Sequence, residues 1–232
     1  MDAYDRTARL SVAYITAFPL SVLAVFSIVD FQQWWLRLVV LGAGVGLPVL
    51  LIDLVRDLGV RTQADLWDGW GGPPTTVLLR WSSAPNPMLQ QLRHRHVQRA
   101  TGVALPTASE EAADPGVADQ IYETAVSVLR QRARAQELVA RENRQYGLRR
   151  NLYGCRLIAR AAGFAAAAAG ASLSPLAFDH LRWNAAGIVV AISVAWILGS
   201  IVVITSSFVK KSADRYAETL ISAASEMEAP IV

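Results

Sequence analysis

The apolar residues of this 232-residue chain lie in four separate blocks, and this blocking constrains the fold more than any other feature. The first block, 10–29, contains no charged residue and is about as long as a helix that crosses roughly 30 Å of hydrocarbon. The other blocks are 38–52, 161–178 and 185–209. We therefore expect an all-α fold with four transmembrane helices in two hairpins. The four spans are expected at about 10–29, 35–55, 157–178 and 185–209.

These blocks divide the chain into four segments. Two transmembrane hairpins, 1–55 and 156–209, enclose a mostly helical insert, 56–155, and a tail follows at 210–232. The first block is preceded by acidic as well as basic residues and has no small-residue cleavage site after it. We therefore expect the first span to stay attached to the protein.

The basic residues predict the orientation in the membrane. Of 22 lysines and arginines, only Arg37 and Arg182 lie near the two short links between paired spans. The positive-inside rule then places both termini and the insert in the cytoplasm. The predicted location is a bacterial cytoplasmic membrane, crossed several times.

The insert has two predicted parts. Gly71-Gly72-Pro73-Pro74 cannot continue a helix, so 66–76 is expected to be a loop. Three tryptophans lie in or near this segment: Trp67, Trp70 and Trp81. They are expected at the membrane interface or in a small core. The alternative is that they form a binding loop. From about residue 117 a long basic helix is expected to run to 155 and on into the third span, with a bend at Gly147 or Gly154.

Arginines are dense between 130 and 160. Beside a membrane, such a cluster attracts anionic lipid headgroups, and arginine also suits other phosphate ligands. The candidate ligand-binding residues are Arg141, Arg144, Arg149, Arg150 and Arg156. A net charge of only +3 does not indicate nucleic acid as a partner.

Small residues within the apolar blocks predict close helix packing. The candidates are Gly42, Gly46, Gly163 and Gly170. They serve either packing within the bundle or assembly of several copies, and we expect a homo-oligomer. Asp53, the acid inside an apolar block, is expected to form an ion pair at the base of the third span, with Arg160 or with Arg156.

No catalytic motif, metal site or cofactor site is predicted. His94-Arg95-His96 offers two histidines without a nearby third ligand, and they are expected to be solvated. The chain has one cysteine, Cys155, which excludes a disulfide scaffold. A pore through the fourth span would have only a thin polar lining, formed by Ser193, Ser200 and Thr205.

Three segments carry a family resemblance. They are Leu66-Trp67 through Trp70-Gly-Gly-Pro-Pro-Thr-Thr76, Ala113-Asp-Pro115 with Ala118-Asp119 and Tyr122-Glu123, and Glu142-Asn143-x-x-Tyr146-Gly147-x-Arg149-Arg150-Asn151. Together they resemble an uncharacterised family of multi-pass membrane proteins that is common in actinobacteria. The family is expected to carry an aromatic residue where this chain has Leu148. The resemblance implies topology and host, and it assigns no activity.

The sequence is compatible with three functions. The first is a homo-oligomeric membrane assembly controlled by the insert, as in a channel, a sensor or a membrane effector of phage defence. The second is a scaffold whose insert recruits a soluble cytoplasmic protein. The third, and least favoured, is a lipid-processing enzyme that would use Asp53, His94 and His96 with nearby arginines.

Overall fold

The computed structural model describes residues 3–28, 52–173 and 180–227. Every regular element within them is helical, which confirms the all-α prediction for this part of the chain. The helices are α1 (Ala3–Ile28), α2 (Ile52–Trp70), α3 (Pro74–Leu79), α4 (Pro87–Thr101), α5 (Ala108–Ala113), α6 (Pro115–Ala133), α7 (Glu137–Gly154), α8 (Arg156–Leu173), α9 (His180–Val203) and α10 (Ser206–Ala223). A short 3₁₀ turn, Ala224–Glu226, follows α10.

The chain forms two compact units. Unit 1 comprises Met1–Gln63 and Gly147–Val209, and unit 2 comprises Ala64–Tyr146 and Lys210–Val232. The division passes through α2, α7 and α10 rather than through loops. The tail, treated as a separate segment from sequence, belongs to unit 2 because α10 buries an apolar stripe there that includes Tyr216 and Leu220.

Unit 1 contains three mutually packed apolar helices, α1, α8 and α9. Gly163 and Gly170 of α8 lie against α9: a Cβ added at Gly163 would come within 2.7 Å of Ile197, and one at Gly170 within 3.2 Å of Val189. The two helices approach this closely because the α8 positions carry no side chain.

A second close approach in unit 1 joins α2 to α7. A Cβ at Gly154 would lie 2.8 Å from the backbone of Leu58 and Gly59, and a Cβ at Gly59 would collide with Asn151. A buried cluster lies beside this crossing and includes Val12, Val55, Leu152 and Cys155. The sequence predicts only a bend at Gly154, because nothing local indicates which backbone this glycine meets.

Unit 2 is built around α6. Its buried stripe, which includes Tyr122, Val126 and Leu129, receives α3, α4 and α5. These short helices have strong local end signals. Asn86 caps α4, and Thr107 and Glu110 form a capping box at the start of α5.

The predicted loop at 66–76 is wrong in extent. Helix α2 continues to Trp70, and α3 begins at Pro74. The break is confined to Gly71 and Gly72, whose φ angles of 81° and 127° suit glycine, and to Pro73. Two glycines end one helix, and a proline in the first turn starts the next, so a helix-breaking sequence needs only three residues of connection.

The predicted continuous helix over 117–155 is also wrong. Helix α6 ends at Ala133 and α7 begins at Glu137, with a turn closed by Gln136 N–H donating to the Ala133 carbonyl. No glycine or proline marks this break. Ala133 and Val139 are both buried and lie six residues apart. Residues seven apart share one face of a helix, but residues six apart do not, so one straight helix would not bury both on the same face.

One described helix, α9, contains a stretch long and apolar enough to cross a membrane, Ala186–Val203, with a mean hydropathy of 2.5. Helix α1 contains a shorter apolar stretch, Leu10–Ala24. The predicted span at 35–55 lies largely outside the described residues. The helical fold is therefore established, whereas four spans are not.

Candidate functional site

A polar cluster in unit 2 collects side chains from four helices. Arg80 caps the end of α3 and Trp81 follows it, while His94 comes from α4. Glu111 comes from α5, and Tyr122 from α6. We call these residues, together with Asp119 and Ser82, the polar cluster.

Glu111 is the acceptor at the centre of this cluster and is only 5% exposed. Its Oε2 accepts from Trp81 N–H at 2.8 Å and from the Tyr122 hydroxyl at 2.7 Å, and its Oε1 accepts from Ser82 N–H at 2.9 Å. Burial alone would raise the pKa of Glu111, but these donors outweigh burial and lower it. Burial raises the pKa of Tyr122, and the bond to Glu111 raises it further.

Arg80 and Asp119 form a bidentate ion pair within the cluster. Arg80 Nε lies 2.8 Å from Asp119 Oδ1, and Nη2 lies 2.6 Å from Oδ2. The same guanidinium donates to the Gly71 carbonyl at 2.6 Å, which ties the turn after α2 to α6. The bond to Asp119 raises the pKa of Arg80.

His94 is buried, not solvated as expected from sequence. Its Nε2 is 2.7 Å from the Leu79 carbonyl, and its ring meets Trp81 and Tyr122 edge to face at centroid distances of 4.7 and 5.6 Å. Burial lowers the pKa of His94. On a helix, residues two apart point in different directions, so His96 is half-exposed and lies apart from His94.

Two open cavities lie on unit 2, one of them beside the polar cluster. One, of about 500 Å³, is lined by polar-cluster residues together with Ala108, Ala112 and Pro115. Another, of about 510 Å³, is lined by α4 and α10, including Leu89, Leu92 and Glu218. The carboxylates of Glu111 and Asp119 accept hydrogen bonds from protein donors. The main role of the polar cluster is therefore to stabilise the packing of α3, α4, α5 and α6.

The three candidate tryptophans do not form one loop. Trp67 and Trp70 belong to α2, and Trp70 lies 5.9 Å from Lys210 Nζ across its ring. Trp81 is held in the polar cluster, where its Nε1–H donates to the Pro106 carbonyl at 2.9 Å.

The candidate arginines are divided between the two units. In unit 2, Arg141 pairs with Glu142 at 3.2 Å, and Arg144 lies on the same helix. In unit 1, the other three have protein partners: Arg149 bonds the Phe208 carbonyl at 3.1 Å, Arg150 contacts Gln63, and Arg156 lies 3.8 Å over the Tyr153 ring.

The expected ion pair is not formed between the described residues. Arg160 donates to Ser200, at 3.4 Å to the hydroxyl and 3.3 Å to the carbonyl, and Asp53 is exposed. Of the four candidate packing glycines, Gly42 and Gly46 lie outside the described residues.

A stripe of small residues, not predicted from the sequence, lies on the exposed face of α9. Gly187, Ala191, Ala195 and Gly199 recur every four residues, and all four are exposed. No described neighbour lies within 4 Å of a Cβ built at either glycine. The four-residue repeat is visible in the sequence. Only the structure distinguishes its exposed residues from the glycines of α8, Gly163 and Gly170, which lie against α9.

Comparison of the chain with protein-family models, curated proteins and solved structures finds no significant match. Among the described residues, no group of three or more His, Cys, Asp or Glu side chains could hold a metal ion.

Proposed function

We propose that this chain is an integral membrane protein that assembles with copies of itself through α9, and that unit 2 is its cytoplasmic recognition part. The exposed face of α9 carries this proposal. Only 22% of its membrane-competent stretch is buried. A soluble protein rarely leaves so much contiguous apolar surface in water.

The exposed face of α9 has two components. Large apolar side chains, which suit lipid or a partner, are Ile188, Val194, Leu198, Ile201, Val202 and Val203. The small-residue stripe runs diagonally among them. Lipid chains gain little from a surface of glycine and alanine, whereas another helix can approach its backbone closely. A second copy of α9 therefore fits this face better than lipid does.

The finer topology belongs to the same proposal. Four spans, with 35–55 as the second, would place both termini and unit 2 in the cytoplasm of a bacterium. The support is the charge distribution, because Arg149, Arg156, Lys210 and Lys211 adjoin the ends of the apolar helices. Anionic lipids are the expected bilayer partner.

Cysteine cross-linking tests the assembly in membranes. The native Cys155 is buried, so wild-type protein provides the background. We expect Ala195→Cys to form a disulfide-linked dimer on oxidation and Val189→Cys, buried inside unit 1, to remain monomeric. Equal cross-linking of the two variants, or none at Ala195→Cys with insertion verified, would contradict the proposal.

A membrane-potential measurement tests what the assembly does. If unit 2 controls a conducting or disrupting assembly, induction of the full chain in a bacterial host depolarises cells stained with a voltage-sensitive dye. Gly199→Leu, which blocks the small-residue face, should abolish that effect at equal expression. If Gly199→Leu depolarises cells as strongly as the wild type, depolarisation does not require assembly through α9.

A membrane scaffold is the second candidate, favoured by the burial of Ser193 and Ser200. Both serines face the interior of unit 1, and the Ser200 hydroxyl donates to the Ile197 carbonyl at 2.7 Å. They therefore do not line the exposed face of α9, where a pore between copies would need polar groups. Unchanged potential together with capture of one defined cytoplasmic protein, lost on Asp119→Asn, would favour the scaffold.

A further inference from the structure

Helix α4 presents an unusual outward face. Its buried side holds Gln90, His94 and Val97. The opposite side carries a stripe at positions i, i+4, i+7 and i+11, formed by Met88, Leu92, Arg95 and Arg99. The stripe is apolar at the N-terminal end of the helix and basic toward its C-terminal end.

The apolar end of this stripe is strongly exposed. Met88 is 75% exposed, and Leu89 and Leu92 are also open. Two other large apolar side chains are exposed in the described residues of unit 2. They are Val117 of α6 and Leu138 of α7, and both are distant from residues 88–92 along the chain. The Asn86 side chain accepts from Met88 N–H at 3.0 Å and Leu89 N–H at 3.2 Å, so the apolar patch lies on a capped helix end.

The charge of α4 indicates what covers this patch. The helix contains three arginines, Arg93, Arg95 and Arg99, and no acidic residue. Glu218 of α10 lines a cavity with Arg93 and His96 on the flank of the stripe. Leu89 and Leu92 line the same cavity from the side of the patch. Arg95 and Arg99 lie on the open side. An apolar tip followed by a basic stretch matches the acyl boundary and phosphate layer of an anionic bilayer.

We infer that the outward face of α4 is a second membrane contact of this protein, in which Met88, Leu89 and Leu92 enter the bilayer interface and Arg95 and Arg99 bind anionic lipid phosphates. Methionine is flexible and polarisable, which suits a disordered acyl boundary. The arginine fork binds phosphate oxygens in a bidentate way. The inference rests on the proposed membrane location, and it adds a contact made by unit 2 itself.

The test uses the full chain in lipid nanodiscs with a fluorophore on single introduced cysteines. Cys155 is buried, so unmodified protein reports background labelling. Met88→Cys is the test position, and Val117→Cys is the matched exposed apolar control near Asp114 and Asp119. Val202→Cys, on the most exposed part of α9, reports membrane insertion independently.

We expect brominated lipids to quench the label at position 88 in bilayers containing phosphatidylglycerol, and not the label at 117. With two arginines near the surface, Arg95→Gln/Arg99→Gln should weaken the contact equilibrium about thirty-fold. Quenching at 202 without quenching at 88 would overturn this inference and leave the proposed function intact. Absence of quenching at both positions would overturn the membrane location as well.

Two further outcomes would assign the patch differently. Quenching at position 88 that depends neither on lipid charge nor on Arg95 and Arg99 would refute recognition of anionic headgroups. Cross-linking of Met88→Cys to a second copy, without quenching, would show that protein covers the patch and would overturn the bilayer contact.

Discussion

Replacing Glu111 by glutamine should open unit 2 locally, because one side chain satisfies three donors. Glutamine keeps the shape of glutamate but substitutes an amide nitrogen for one accepting oxygen. The less costly orientation leaves Oε1 in place of Oε2, which keeps Trp81 N–H and the Tyr122 hydroxyl bonded. Ser82 N–H, now 2.9 Å from Oε1 of Glu111, then faces a donor.

The expected cost follows from these three bonds. An unsatisfied N–H costs about 1–3 kcal/mol, and water partly relieves it here because Ser82 is exposed. The two remaining bonds lose their charge assistance, about 1 kcal/mol each. The total is about 3 kcal/mol, equivalent to roughly a hundredfold increase in the local opening equilibrium.

Hydrogen exchange measured by mass spectrometry on the full chain tests this value, because amide protection in α5 and α6 reports local opening. Glu110→Gln is the control, since Glu110 is adjacent but exposed and only closes the capping box. Because the folded-state pKa of Glu111 is lowered from 4.5, its stabilisation is present above that pH and is lost as pH falls through the folded pKa. Equal loss of protection in both variants would refute the reasoning.

Three further outcomes are expected. Gly154→Ala should destabilise unit 1 by about 1–3 kcal/mol because its Cβ meets the α2 backbone, whereas Gly147→Ala on the same helix should be stabilising by about 0.5–1 kcal/mol; pulse proteolysis compares the two. Asp119→Asn should weaken unit 2 by about 1 kcal/mol and raise exchange around the turn after α2, since Arg80 loses its charged partner. The pKa of His94 is lowered from 6.5, so below that pH the unfolded chain binds a proton that the folded chain does not, and wild-type stability should fall. His94→Gln should flatten this part of the profile of stability against pH. An unchanged profile in the variant would refute the role of His94.

Some helix ends follow from local signals in the sequence. The capping box of Thr107 and Glu110 depends on neighbouring residues only, so it can be found without tertiary knowledge. The end of α2 at Trp70 was not predicted, because 66–76 was expected to be a loop throughout. The extent of the broken region could not be found in this way. Whether the chain resumes a helix after Pro73 depends on burial of α3 against α6.

The polar cluster was missed for a related reason. Arg80, Glu111 and Asp119 are separated by up to 39 residues, and each is an ordinary surface residue type on its own. Their pairing depends on how α3, α5 and α6 pack. The predicted ion pair of Asp53 with Arg160 also depends on how helices pack. Arg160 lies at a position along α8 that places its guanidinium beside Ser200.

The sequence by itself determined that this protein is helical and that its apolar residues are gathered in blocks, because periodicity and hydropathy are local properties. Only the tertiary structure decided which small residues are already covered. Gly163 and Gly170 are buried against α9, while the stripe from Gly187 to Gly199 is left open. The physical reason is that a residue's surroundings depend on residues distant in sequence, and the energy of a surface is set by what covers it.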